Sequence, residues 1–197
     1  MSQPVHEIAS VLAPLSLAEK LGTRTLSNGV RLIGHVPHVG PRAYFHVLFP
    51  GLDARRLLEL ESAAGRPVPH QLKALFELVN GMHLFSGALS IFGLRGENSR
   101  TGDAAWQPFG VESANKDERP GGASEELFFF GFYDWDGSLL YMSARSPEVY
   151  RCAQENVQPL NSWSNLTTML RQEIERLGSC FDALGRKISP DEPTAPT

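Results

Sequence analysis

The 197-residue sequence has only two cysteines, Cys152 and Cys180. They have no metal-like spacing, and no secretion signal accompanies them. Both are therefore expected reduced and packed, in a cytoplasmic protein. No apolar run approaches the ~20 residues that a membrane helix needs. The N-terminus, MSQPVHEIAS, lacks the basic stretch and apolar core of a signal peptide. The sequon Asn165-Leu166-Thr167 is then expected to be idle. The motifs of common chemistry are missing too. There is no Gly-x-Ser-x-Gly elbow for a hydrolase nucleophile. Gly87, Gly93 and Gly96 are not spaced as a phosphate-binding loop, and neither cysteine sits in a catalytic-thiol signature. No internal repeat occurs.

Two stretches resemble metal sites and fail on ligand count. His35 and His38 flank Pro37, with no cysteine or carboxylate nearby in sequence to complete a set, so surface histidines are expected. Asp134-Trp135-Asp136-Gly137 begins like a calcium loop. The position that should carry a bidentate glutamate holds Ser143, so a hairpin turn is expected instead. No pair of groups with complementary catalytic roles is visible. The expectation is a protein without metal or cofactor that is not an enzyme.

The charge that is present is unevenly placed. The chain nets −4. Between Glu97 and Glu126 lie seven acids (Glu97, Asp103, Glu112, Asp117, Glu118, Glu125, Glu126) and three bases (Arg100, Lys116, Arg119). That window alone nets −4, so the remainder balances to zero. An acidic segment argues against direct nucleic-acid binding, because phosphates call for Lys and Arg. It suits a basic protein partner. Glu112, Asp117, Glu118, Glu125 and Glu126 are therefore the candidate partner-binding residues. Trp135, beside a turn tip, is a candidate aromatic anchor. The bland alternatives are a solvated loop and a ring packed over the sheet edge.

The apolar fraction, 42%, is enough for one real core. Residues 1–20 contain Pro14 and predict only a weak or short element. Asn28-Gly29 between two β-prone runs predicts a hairpin, and 43–49 reads as a strand. Asp53 caps a helix over 54–64 that Gly65 ends. Pro69 suits a first helical position, and Leu72, Leu75, Phe76 and Val79 form one apolar stripe. Asn80-Gly81 reads as the stop, with Gly81 as a left-handed cap. A strand follows at 88–92, then a long loop over 95–126 with room for one short strand near 109–112. Loops of that length are usually functional or disordered. Residues 127–133 and 139–143 predict a hairpin around Asp136-Gly137, and 148–152 a further strand. Ser162 caps a last helix whose stripe runs from Trp163 through Leu166, Leu170, Ile174, Leu177 and Phe181 to Leu184. The fold class is α+β: a single mixed or mostly antiparallel sheet with packed helices.

The stretch Pro67–Leu94, a proline-initiated helix ending in Asn-Gly before a strand, resembles the SMI1/KNR4 family of the SUKH superfamily. The preceding helix through Gly65, the segments Phe128-Phe129-Phe130-Gly131 and Asp136 to Tyr141, and the helix from Trp163 to Phe181 resemble that family's other pieces, in order. The resemblance implies a domain over 50–187. Residues 1–49 add an extension with a hairpin, part of the same domain, and 188–197 a disordered tail. It implies no catalytic residues. The function it implies is binding and neutralising a cognate bacterial toxin, a basic nuclease being one candidate. The alternative is a regulatory or scaffold module that binds other proteins. The oligomeric state is open.

Overall fold

The computed structural model describes residues 3–96 and 101–197. Its centre is one nine-stranded sheet in which every strand pairs with the next in sequence. The strands are β1 (Thr23–Thr25), β2 (Arg31–His35), β3 (Tyr44–Pro50), β4 (Val79–Leu84), β5 (Leu89–Ile91), β6 (Leu127–Tyr133), β7 (Leu139–Ser143), β8 (Val149–Cys152) and β9 (Pro159–Trp163). All eight pairings are antiparallel. The helices are α1 (Gln3–Leu12), α2 (Ala54–Ala64), α3 (His70–Leu78), α4 (Glu112–Asn115) and α5 (Leu166–Ser179), with a 3-10 segment over Ala13–Leu21.

Alternation along the strands separates two apolar layers. Ile33 joins the main core with the helices, whereas its neighbour Leu32 packs with Leu26, Val30, Val47 and Phe49, and with Tyr44 and Trp106 over them. The main core takes Leu72, Leu75 and Phe76 from α3 and Leu166, Leu170, Ile174 and Leu177 from α5. It also takes Phe128, Phe129 and Phe130 from β6, all fully buried. Full burial of such a side chain contributes about 1.5–3 kcal/mol, so β6 is the best-anchored strand.

Several local expectations match residue for residue. The Asp53 carboxylate accepts the Arg56 N–H, and α2 ends at Gly65 in the left-handed region. Gly29 and Gly137 carry positive φ at the two hairpin turns.

Four expectations are corrected. First, residues 3–12 form a full helix that buries Val5, Ile8 and Val11. Pro14 does not break it, because it falls in the first turn of the next, 3-10 segment, where a missing N–H costs nothing. Second, Gly81 is not a helix cap. α3 ends at Leu78, Val79 is already extended, and Asn80-Gly81 lies inside β4. Gly81 does have φ +82, and a Cβ there would lie 2.8 Å from Ile91 O. Third, the short strand expected near 109–112 is a lone bridge from Gly110 to Gly93, followed by α4, which buries Ala114 and Asn115. Fourth, Ser162 and Trp163 end a ninth strand. The helix starts at Leu166, and Asn165 is its cap, accepting the Thr168 N–H. The segment 188–197 touches α5. Thr194 and Ala195 are buried, and Arg176 donates to Thr194 O at 2.7 Å.

Candidate partner-binding face

Where β5 stops at Ile91, the flank of β6 facing it loses its partner strand. The segment 107–126 crosses that gap. Asn115, fully buried, takes the role of a strand with its side chain. Its Nδ2 donates to Phe129 O (2.7 Å) and Val111 O (2.8 Å), and its Oδ1 accepts the Phe129 N–H (3.0 Å). Asn80 does the same one strand earlier, donating to Leu94 O (2.8 Å) and accepting from Leu94 N (2.7 Å). Gly93 passes so close to Asn80 that a Cβ would sit 2.3 Å from Asn80 O. A buried amide that satisfies one N–H and one C=O of departing chain closes a sheet without another strand.

This seal sets the position of the acids. Glu112, Asp117, Glu118, Glu125 and Glu126 are all exposed, on α4, the turn after it and the lead-in to β6. Two half-buried arginines lie beneath them. Arg66 donates to Glu125 O (3.0 Å), Leu127 O (3.1 Å) and Asn115 O (2.7 Å). Arg119 donates to Leu127 O (3.3 Å), Asn115 O (3.4 Å) and Ser124 O, and its guanidinium lies 5.3 Å from the Phe129 ring centroid. Burial lowers the pKa of both, and Arg66 lowers Arg119 further, while the Glu125 charge opposes the shift. Both stay protonated, as arginine does in proteins.

The charge of the face is therefore smaller than the sequence window implies. Glu126 pairs with Arg145 at 3.1 Å. Lys116 reaches Ser62 O on α2 at 3.3 Å. Five carboxylates lie among five cations (Arg66, Lys116, Arg119, Arg145, and Arg95, whose side chain flanks Gly110 as the Glu112 carboxylate does), so the face is close to neutral overall. Among the described residues, no cation lies within 4 Å of the Glu112, Asp117 or Glu118 carboxylates. Asp103 serves the fold, accepting the Ser27 N–H and hydroxyl at 2.9 Å each. Glu97 and Arg100 lie outside the described residues.

Trp135 is not part of this face. It stands at the far end of β6, six strand steps or about 20 Å away. The residue is 45% exposed, and the Lys187 ammonium lies 4.2 Å from the ring centroid, itself donating to Pro190 O.

Cys152 and Asp136 carry structural duties. Cys152 is buried, which pushes its thiol up to about 11, out of nucleophile range. Asp136 accepts from the Ser138 N–H (3.0 Å) and hydroxyl (2.6 Å), as a turn residue. Among the described residues, no three His, Cys, Asp or Glu side chains gather as a metal site, and no helix is long and apolar enough to cross a membrane. Sequence reasoning missed Arg66 and Arg145. Each reaches the face from a different part of the chain, so no local signal marks them.

No curated protein matches the sequence. The family profile described as SMI1 / KNR4 family (SUKH-1) matches residues 51–172, more than half of the chain. That span holds α2, α3, both asparagine seals and β4 through β9. The chain belongs to the SMI1 / KNR4 family (SUKH-1).

Proposed function

We propose that this protein is a non-catalytic binding domain acting in the cytoplasm as an immunity protein, which binds and neutralises a cognate bacterial toxin. The observation that carries the reading is the family match over 51–172. The contact is assigned to the face around Glu112, Asp117, Glu118, Glu125 and Glu126. A nuclease presents positive charge to phosphates, and an inhibitor covering that surface gains from the opposite sign. Complementary charge mainly accelerates association, and the gain falls with ionic strength. With the face close to neutral overall, Asp117 and Glu118 carry most of this effect. Both are exposed, and among the described residues no cation lies within 4 Å of either carboxylate.

The test has two steps. Co-expression with a candidate toxin from a neighbouring gene restores growth if the protein is an immunity partner; unrelieved toxicity rejects the reading. Association is then followed by stopped-flow for a variant carrying Asp117→Asn, Glu118→Gln, Glu125→Gln and Glu126→Gln. The expected outcome is slower association and a flatter salt dependence. Rates unchanged at every salt concentration would move the interface away from this face.

A further inference from the structure

A cavity of about 600 Å³ opens between the 3-10 segment, the start of β3 and the C-terminal half of α5. Ligand pockets fall in the range of roughly 300–1,000 Å³. Its walls are apolar, with Leu15, Ala18 and Leu21 on one side and Ile174 on the other. Phe45, Phe85 and Phe181 form a ring cluster along it, with centroids 5.2, 5.2 and 5.8 Å apart.

Of the polar side chains in the lining, one is buried. His46 is 2% exposed and lines the cavity. Its Nδ1 accepts the Phe85 N–H at 3.2 Å. The ring proton therefore sits on Nε2, and Nε2 finds no acceptor among the described residues. That arrangement is held by an unusual turn: Phe85 and Ser86, neither of them glycine, have φ +54 and +57. Positive φ at both central positions is what a primed turn of the β4–β5 hairpin requires, and the Gly87 N–H closes that turn on Leu84 O at 3.1 Å. The cavity mouth is charge-balanced. Lys20 and Arg171 face Glu175 and Asp182, and the Asp182 carboxylate is occupied by the N–H groups of Leu184 and Arg186. The floor offers a neutral donor, and neither mouth nor floor favours a net charge.

From this geometry we infer that the cavity is a binding site for a neutral, largely apolar small molecule. The ligand is flat enough to lie against the phenyl rings and carries one carbonyl or ether oxygen for the His46 Nε2–H. Of the lining residues, only Phe85 and Arg171 fall within the matched span 51–172. The site is thus built by the flanks of this chain and is independent of the partner reading.

The probe is 6-propionyl-2-dimethylaminonaphthalene, a neutral aromatic ketone whose emission reports its surroundings. Titrated into the full chain, it binds saturably, one to one, with blue-shifted emission. A competitor with propyl in place of propionyl would bind more tightly if burial were all the site offered. With the His46 donor in place, the ketone binds about fivefold tighter instead, the effect of one net hydrogen bond. Gly178→Leu supplies the blocking arm. Gly178 lines the cavity within α5, and a Cβ there meets nothing within 4 Å. Leucine is also the better helix former, so the fold is retained, as an unlowered urea midpoint would confirm, while probe affinity falls at least tenfold. Absence of saturable binding, binding indifferent to Gly178→Leu, or a propyl competitor as tight as the ketone would each overturn the assignment.

Discussion

Asn115→Ala tests the side-chain seal on β6. The side chain is fully buried and makes three hydrogen bonds, at 2.7, 2.8 and 3.0 Å. Two of them satisfy the N–H and C=O of Phe129, at a point where β5 has already ended. Truncation leaves both groups buried without a partner, and each such loss costs about 1–3 kcal/mol. The Val111 carbonyl loses a donor too, at a helix start where other donors are near. The expected total is ~4 kcal/mol, large against a typical stability of about 5–15 kcal/mol. The Arg66 bond to the Asn115 backbone carbonyl is untouched, so the segment stays attached and the loss reads on the seal alone. Urea unfolding measures it as a lower midpoint at unchanged slope. Glu118→Gln, three residues on and exposed, shifts stability by less than about 0.5 kcal/mol. A loss under about 1 kcal/mol for Asn115→Ala, at unchanged slope, would mean that Phe129 finds other partners, and the account of how the sheet closes would fail.

Gly81→Ala forces a Cβ to 2.8 Å from Ile91 O and 2.9 Å from Phe92 O at φ +82. The expected cost is about 2–4 kcal/mol by urea midpoint, more than the loss of a helix cap would give. Glu173, 2% exposed, is paired twice with Arg176, at 2.6 and 3.1 Å. Glu173→Ala strands the partly buried guanidinium and lowers stability by about 3 kcal/mol in chemical denaturation. Burial depresses His46 to about 3 and His83 to about 4, below the ordinary 6.5. Both are neutral in the fold, and the unfolded chain binds more protons below pH 6.5. Their contribution is complete above that pH and falls, by up to ~1.4 kcal/mol per pH unit each, as pH drops toward 4 and 3. His83→Phe, between Phe49 and Phe109, should flatten the stability profile between pH 6 and 4; an identical slope would show that His83 is not held neutral.

The elements legible in the sequence are those whose signals are local. The Asn28-Gly29 hairpin, the Asp53 and Gly65 limits of α2 and the Asp136-Gly137 turn each depend on residues within a few positions of one another. The misread ones depend on distant chain. Asn80-Gly81 has the composition of a helix stop, yet its conformation is dictated by Leu94 and Ile91, across the neighbouring strand. β9 is a polar edge strand with a proline at its start and Trp163 as its one buried side chain, so it shows no alternation to read. α4 hides in four residues, too few for a period to emerge.

The same rule governs the candidate sites. A count of charge along the sequence sees Lys116 and Arg119 but not Arg66, 49 positions from Asn115, nor Arg145, which crosses from the end of β7. The acids are displayed on a segment whose own backbone carbonyls are fastened by cations. Fastening and display are therefore coupled. Arg66 and Arg119 both hold the carbonyls of Asn115 and Leu127, the residues that flank the acids. Neutralising Asp117 and Glu118 changes the field of the face without touching those bonds. Removing either arginine makes the field more negative but frees the segment that presents it. Charge and rigidity thus pull partner binding in opposite directions at the arginines and act singly at Asp117 and Glu118, which is why the acids are the interpretable place to test the face.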